Sequence, residues 1–238
     1  MSGVPPHSFH DTDAMRTAMP AARQFAIVLA LALAGVLAAL ALDTEALRAA
    51  YRRVVPDAPE ERFTGWLQLI ESSRRRPAAE QLARINDFIN GRIRFVDDID
   101  LWGQSDYWAT PMETLARGAG DCEDFAIAKY FTLLQVGIPV ERLRLTYVRA
   151  RLNAPGGPVF QAHMVLAYYA KPDAEPVILD NLDPSIQPAS RRTDLLPVFN
   201  FNSERIYQTG AGNTRSAGVG QLSRWADALE RIRIEGFD

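Results

Sequence analysis

A single cysteine, Cys122, occurs in the 238 residues. No intramolecular disulfide can form, and no zinc site of several thiolates can be built. The thiol is then either a small buried filler or a reactive group. A basic excess is also missing: 26 Lys and Arg against 29 Asp and Glu leave a net charge of -3. That balance argues against nucleic acid as a partner, because phosphate binding needs a cationic surface. Histidines number three, and His7 and His10 precede the one long hydrophobic run. His163 is therefore the only imidazole in the remainder of the chain. No internal repeat is found, and 47% hydrophobic with 23% charged residues is the balance of a globular protein rather than a disordered one.

Phe25 to Leu42 carries no charge, follows Arg16 and Arg23, and contains the small-x-small run Ala39-Leu40-Ala41. These are the features of an export signal with its cleavage site, in a run also just long enough to span a bilayer. Residues 1–42 are thus expected to be a signal peptide or an N-terminal membrane anchor, with initiation at Met15 giving the more ordinary signal. The body is expected to be exported. Residues 43–208 suit one domain, and 209–238 read as a tail with a short amphipathic helix through Leu222, Trp225, Leu229 and Ile232.

Periodicity predicts helices over Thr44 to Val55, through Trp66 to Ile70, and over Ala78 to Asn90 with Gly91 as its cap. Residues 96–120 read as a loop rich in Asp, Trp and Gly. From Cys122 to Val136 only Lys129, Thr132 and Gln135 interrupt the apolar residues after the first turn. This predicts a packed central helix with one stripe reaching water, stopped by Gly137 and Pro139. The period then becomes two: Leu143 to Leu152 and Val159 to Tyr169 read as a hairpin around a six-residue connection, with a third strand over Val177 to Asp180. The pattern is α+β, N-terminal helices and a central helix packed on an antiparallel sheet.

Cys122 opens that central helix, where unpaired N–H groups and the positive end of the dipole favour a thiolate and could receive an oxyanion. Gly118-Ala119-Gly120 leads into it and offers little side-chain bulk, which favours small residues at a cut. A nucleophilic thiol needs a base, and His163 alone can supply one; it shares a strand face with Val165 and Ala167. The third member should fix the imidazole tautomer. Asp180 is out of pattern after Val177-Ile178-Leu179 and fits, with Asn181 and Asp183 as alternatives. Trp108 and Gln104 are candidates for a second oxyanion donor, or simply pack over the helix start.

Asp106-Tyr107-Trp108-Ala109-Thr110-Pro111, Gly118 to Asp124, Ala126 to Tyr130, Gly137-Ile138-Pro139, Ala162 to Val165 and Leu179-Asp180-Asn181 together resemble the bacterial transglutaminase-like cysteine proteinases of the LapG type. The resemblance runs from about Leu82 to Tyr207, in the order Cys, His, Asp. It implies a papain/transglutaminase-like fold. It also implies a periplasmic protease that cuts a large surface adhesin near its N-terminus between two alanines and releases cells from a biofilm. Calcium dependence and sequestration by an inner-membrane receptor responsive to cyclic di-GMP are implied as well. A transglutaminase would use the same three residues, and an exported calcium-binding interaction module would need none of them.

Asp121, Glu123 and Asp124 place three carboxylates within one turn of Cys122, which opposes thiolate formation. Helix capping explains them in part. A bound calcium ion would also neutralise them, with the 97–106 loop adding a carbonyl or an Asp.

Overall fold

The computed structural model describes residues 43–208, 216–217 and 222–237, all within one compact unit, Leu42–Asp238. The expected signal or anchor over 25–42 lies outside the described residues. Among those described, no helix is long and apolar enough to cross a membrane.

Three helices come first: α1 Thr44–Val54, α2 Glu60–Ser73 and α3 Ala78–Arg92. Asp43 caps α1, its carboxylate accepting the Ala46 N–H at 2.9 Å. Helix α3 runs through Gly91 and ends on extended Ile93, so Gly91 is not the cap that the sequence suggested. The expected loop over 96–120 holds two short helices, α4 Asp98–Trp102 and α5 Pro111–Arg117, beside a small parallel pair, β1 Arg94–Phe95 with β2 Ala119–Gly120. Helix α5 is set locally. Thr110 and Glu113 form a capping box, Pro111 takes the first turn, and left-handed Gly118 (φ 62°) ends it.

Central helix α6 spans Cys122–Gln135, and its polar stripe does not reach water as expected. Lys129 and Thr132 are buried. Thr132 Oγ1 accepts from Trp66 Nε1 at 2.9 Å and donates to the Ala128 carbonyl, which satisfies both groups without solvent. The Lys129 ammonium lies over Phe125, and burial lowers it to about 7 against the opposing pull of Asp180 and Asp87.

The hairpin strands are β3 Leu143–Ala154 and β4 Gly157–Tyr168. Their connection is the Pro155-Gly156 pair, not six residues, because the left-handed φ of Gly156 closes the turn at once. Around them lie β5 Val177–Leu179, β6 Gln187–Pro188, β7 Leu195–Phe201, β8 Ile206–Gln208 and β9 Ser216–Ala217, in the order β6-β5-β4-β3-β7-β8-β9. All neighbouring pairs in this sheet are antiparallel. One core unites α1–α3, α5 and α6 with Leu143, Leu145, Met164, Leu166 and Phe201 of the sheet. A second, smaller cluster holds Val148, Ala150, Val165, Ala167, Ile178 and Leu195, on the opposite side by the strand period.

Helix α7, Ser223–Glu235, was set apart as a tail from sequence. It carries fully buried Trp225 into the main core, with Phe237 beyond it against Trp66 and Phe131. Trp225 Nε1 donates to the Asn202 carbonyl at 3.0 Å. Burying such a ring, with its one donor satisfied, contributes roughly 2–3 kcal/mol.

Candidate active site

Cys122 begins α6 because Asp124, two residues on, folds back over the turn. Its Oδ2 accepts the Asp121 N–H at 3.3 Å and its Oδ1 accepts the Ala109 N–H at 2.8 Å. The second bond ties the helix start to the 106–110 segment. Gly120 is obligatory here: a Cβ on it would stand 2.6 Å from Asp124 Oδ2 and 2.7 Å from Asp124 Cβ. Ala119 and Gly120 are therefore buried packing, and the Gly118-Ala119-Gly120 run does not line the cleft, so it gives no ground for preferring small residues at a cut.

A cleft of about 310 Å³ is lined by Cys122, His163, Asp121, Glu123 and Trp108, among others. Its rim includes exposed Phe95 and Leu182. Cys122 is half-buried, and its thiol donates to Glu123 Oε2 at 3.0 Å. Burial above all, then the Glu123 carboxylate, pushes the thiol well above its ordinary range, and the Met164 backbone opposes this weakly. These causes pull against the helix terminus, which favours the thiolate.

His163 lies on β4, opposite Val148 of β3, on the face of the second cluster as the strand period predicts. Its Nε2 meets Asp180 Oδ1 at 2.7 Å. Asp180 directly follows β5, whose Leu179 pairs with Leu166, and both side chains are buried. Burial would raise the Asp180 carboxyl, but His163 and Arg192 outweigh it and hold it at about 2. The two alternatives serve elsewhere or stay unbonded. Asp183 accepts from Ser185 and Gln187 in its own turn, and Asn181 Oδ1 finds no partner among the described residues.

The proposed oxyanion donors do not reach the cleft as donors. Trp108 Nε1 donates to Asp106 Oδ1 at 2.9 Å while its ring stacks on Phe201. Gln104 lines a separate depression with Arg224 and Arg231.

The carboxylates form overlapping groups: Asp98 with Asp121 and Asp124, and Asp98 with Asp106 and Glu123, one oxygen of each within 4.8 Å of the others. Asp98 and Asp106 were not singled out as ligands from sequence. They lie in a stretch with Asp97 and Asp100, where only tertiary burial distinguishes Asp98. Asp98 Oδ1 and Asp121 Oδ1 are buried and without hydrogen-bond partners among the described residues. Burial, ahead of neighbouring carboxylates, raises Asp98 to about 6 and moves Asp121 and Asp124 upward too. Orphaned oxygens in an all-oxygen set fit a hard divalent cation such as calcium. Asp124 already receives two backbone N–H groups, and Asp106 is held by Trp108 Nε1 and by Arg224, so Asp98, Asp121 and Glu123 are the more available ligands.

Residues 67–194 match the description "Bacterial transglutaminase-like cysteine proteinase BTLCP". Solved structures of Legionella pneumophila LapG are similar to this chain. The EGTA-treated form is 37% identical, with 78% of this chain and 97% of that chain covered and a TM-score of 0.65. The calcium-bound form is 38% identical, with 78% and 98% covered and the same TM-score of 0.65. No curated protein matches the chain significantly.

Proposed function

Since the chain belongs to the bacterial transglutaminase-like cysteine proteinase family, we propose that it is a calcium-dependent endopeptidase with Cys122 as nucleophile, His163 as base and Asp180 as orienting group. The observation that carries this reading is the buried His163–Asp180 hydrogen bond beside a cleft that also exposes Cys122. With Nε2 committed to Asp180, Nδ1 is the nitrogen left to take the thiol proton. The thiolate then attacks the scissile carbonyl, and the N–H groups at the start of α6 face the developing oxyanion. Protonated His163 returns its proton to the departing amine, and water activated by the same ring hydrolyses the thioester.

Asp98, Asp121 and Glu123 are the residues that would hold calcium, with Asp106 and Asp124 beside them. The ion would supply positive charge that offsets the carboxylates now raising the thiol. The calcium-bound LapG structure supports this choice of metal. Calcium binding by calorimetry should disappear in Asp98→Asn with Asp121→Asn, and the thermal stabilisation given by calcium should go with it. Undiminished affinity in that variant would limit these carboxylates to capping and packing.

By its likeness to the LapG type, the substrate is a large surface adhesin cut near its N-terminus between two alanines, in the periplasm, so that cells leave a biofilm. An inner-membrane receptor responsive to cyclic di-GMP would sequester the enzyme. The experiment is purified protein with a model substrate bearing the di-alanine, in calcium. Cleavage should occur and be lost in Cys122→Ala, whose stability should stay within about 1 kcal/mol because little volume is removed. Replacing both alanines by Leu or Arg should slow it strongly. Incorporation of a labelled amine without cleavage would favour a transglutaminase, and a thiol no more reactive than a model thiol would favour a binding module.

A further inference from the structure

Asp180 is gripped from two sides. Its Oδ1 accepts from His163 Nε2 at 2.7 Å and from the Leu182 N–H at 3.1 Å. Its Oδ2 accepts from Arg192 Nη2 at 2.7 Å. Arg192, 4% exposed, follows the 3-10 turn Ala189–Arg191 and is docked in turn on Asp194. There Nε meets Oδ1 at 3.0 Å and Nη2 meets Oδ2 at 2.8 Å. The row Asp194–Arg192–Asp180–His163 thus runs from the surface to the edge of the cleft.

We infer that Arg192 is a positioning residue for the reaction, fixing the Asp180 carboxylate so that His163 keeps the ring orientation that Cys122 requires. This rests on the peptidase reading above. Two bonds to Asp194 leave the planar guanidinium little freedom, so the Nη2 contact with Asp180 is directional, which a lysine would not reproduce. The other charges around Asp180 do not replace it. Lys129 of α6 is an electrostatic neighbour whose own pKa burial lowers to about 7. Asp183 is a carboxylate and repels. Without Arg192, burial would act on Asp180 with His163, the Leu182 amide and the more distant Lys129 charge against it.

A purely structural role accounts for less. Arg192 Nη1 is buried with no partner among the described residues, a cost that an apolar side chain of similar size would avoid.

The test separates orientation and charge from packing. In Cys122→Ala protein, the Asp180 side-chain carboxyl is followed by 13C NMR down to pH 3, without substrate. It should remain ionised throughout, protonate at least about one unit higher in Arg192→Gln, and return part of the way in Arg192→Lys. In the active enzyme, Arg192→Gln should lower kcat about a hundredfold with KM changed less than about twofold, and move the acid limb of kcat/KM upward. An Asp180 titration and acid limb that coincide with the parent in folded Arg192→Gln would overturn the inference. Should that variant not fold, Arg192→Lys and Asp194→Asn carry the same measurement, with a smaller upward shift expected and no shift overturning it. A shifted carboxyl titration in a protein that never cleaves would support the grip on Asp180 and overturn the peptidase reading.

Discussion

Asp180 and Asp183 stand three residues apart, yet one is buried against an imidazole and the other serves its own turn. Asp180→Asn should therefore lower activity at least about a hundredfold by favouring the wrong tautomer, whereas Asp183→Ala should change kcat by less than about threefold. The reverse order in a steady-state assay would reassign the orienting group. As candidates, Cys122, His163 and Asp180 were legible in sequence because each is chemically isolated: a lone thiol, a lone imidazole in the body, and a charge closing an apolar strand. Arg192 and Asp98 were not. Arg192 follows Arg191 in a polar stretch, and Asp98 sits among similar acids, so neither breaks a local pattern. What sets them apart is burial against distant elements, at 4% and 3% exposure, which no periodicity encodes.

Among the elements, the long ones were readable and the short ones were not. Helices α1, α3 and α6 carry sustained apolar spacing. Helix α5 announces itself only through Thr110-Pro111-Met112-Glu113, a capping box with proline in the first turn, a signal that was present and overlooked. Strand β7 contains Pro197, ordinarily a mark against a strand. It is accommodated because the pairing with β3 shifts register between Tyr147 and Val148, opposite that proline. The β2–α6 junction allows a sharp prediction. Gly120→Ala should displace Asp124, release the Ala109 N–H and lower stability by about 1–3 kcal/mol. A denaturation midpoint equal to that of the parent would show that the junction relaxes without cost.

At the scale of the whole molecule, α7 holds the cleft wall in place. Arg231 donates to Glu113 Oε2 at 2.5 Å, to the Trp108 carbonyl at 2.6 Å and to Tyr107 Oη at 2.9 Å. Glu235 Oε1 accepts from Thr110 Oγ1 at 2.5 Å, while its Oε2 has no partner among the described residues. Burial, above the opposing pull of Thr110, raises Glu235 to about 8. Its folded pKa thus exceeds the unfolded value, so the stability it contributes is complete below about pH 4.5 and is lost as pH rises through about 8. Glu235→Gln should flatten the decline of Tm between pH 5 and pH 8, and parallel slopes for the two proteins would contradict this. The order of these elements along the chain has a temporal meaning. A growing polypeptide presents Cys122 and His163 well before it presents Trp225 and Arg231, so the wall beside the thiol has no brace until α7 emerges. A chain cut short before α7 should therefore keep the thiol but lose the support of the wall beside it.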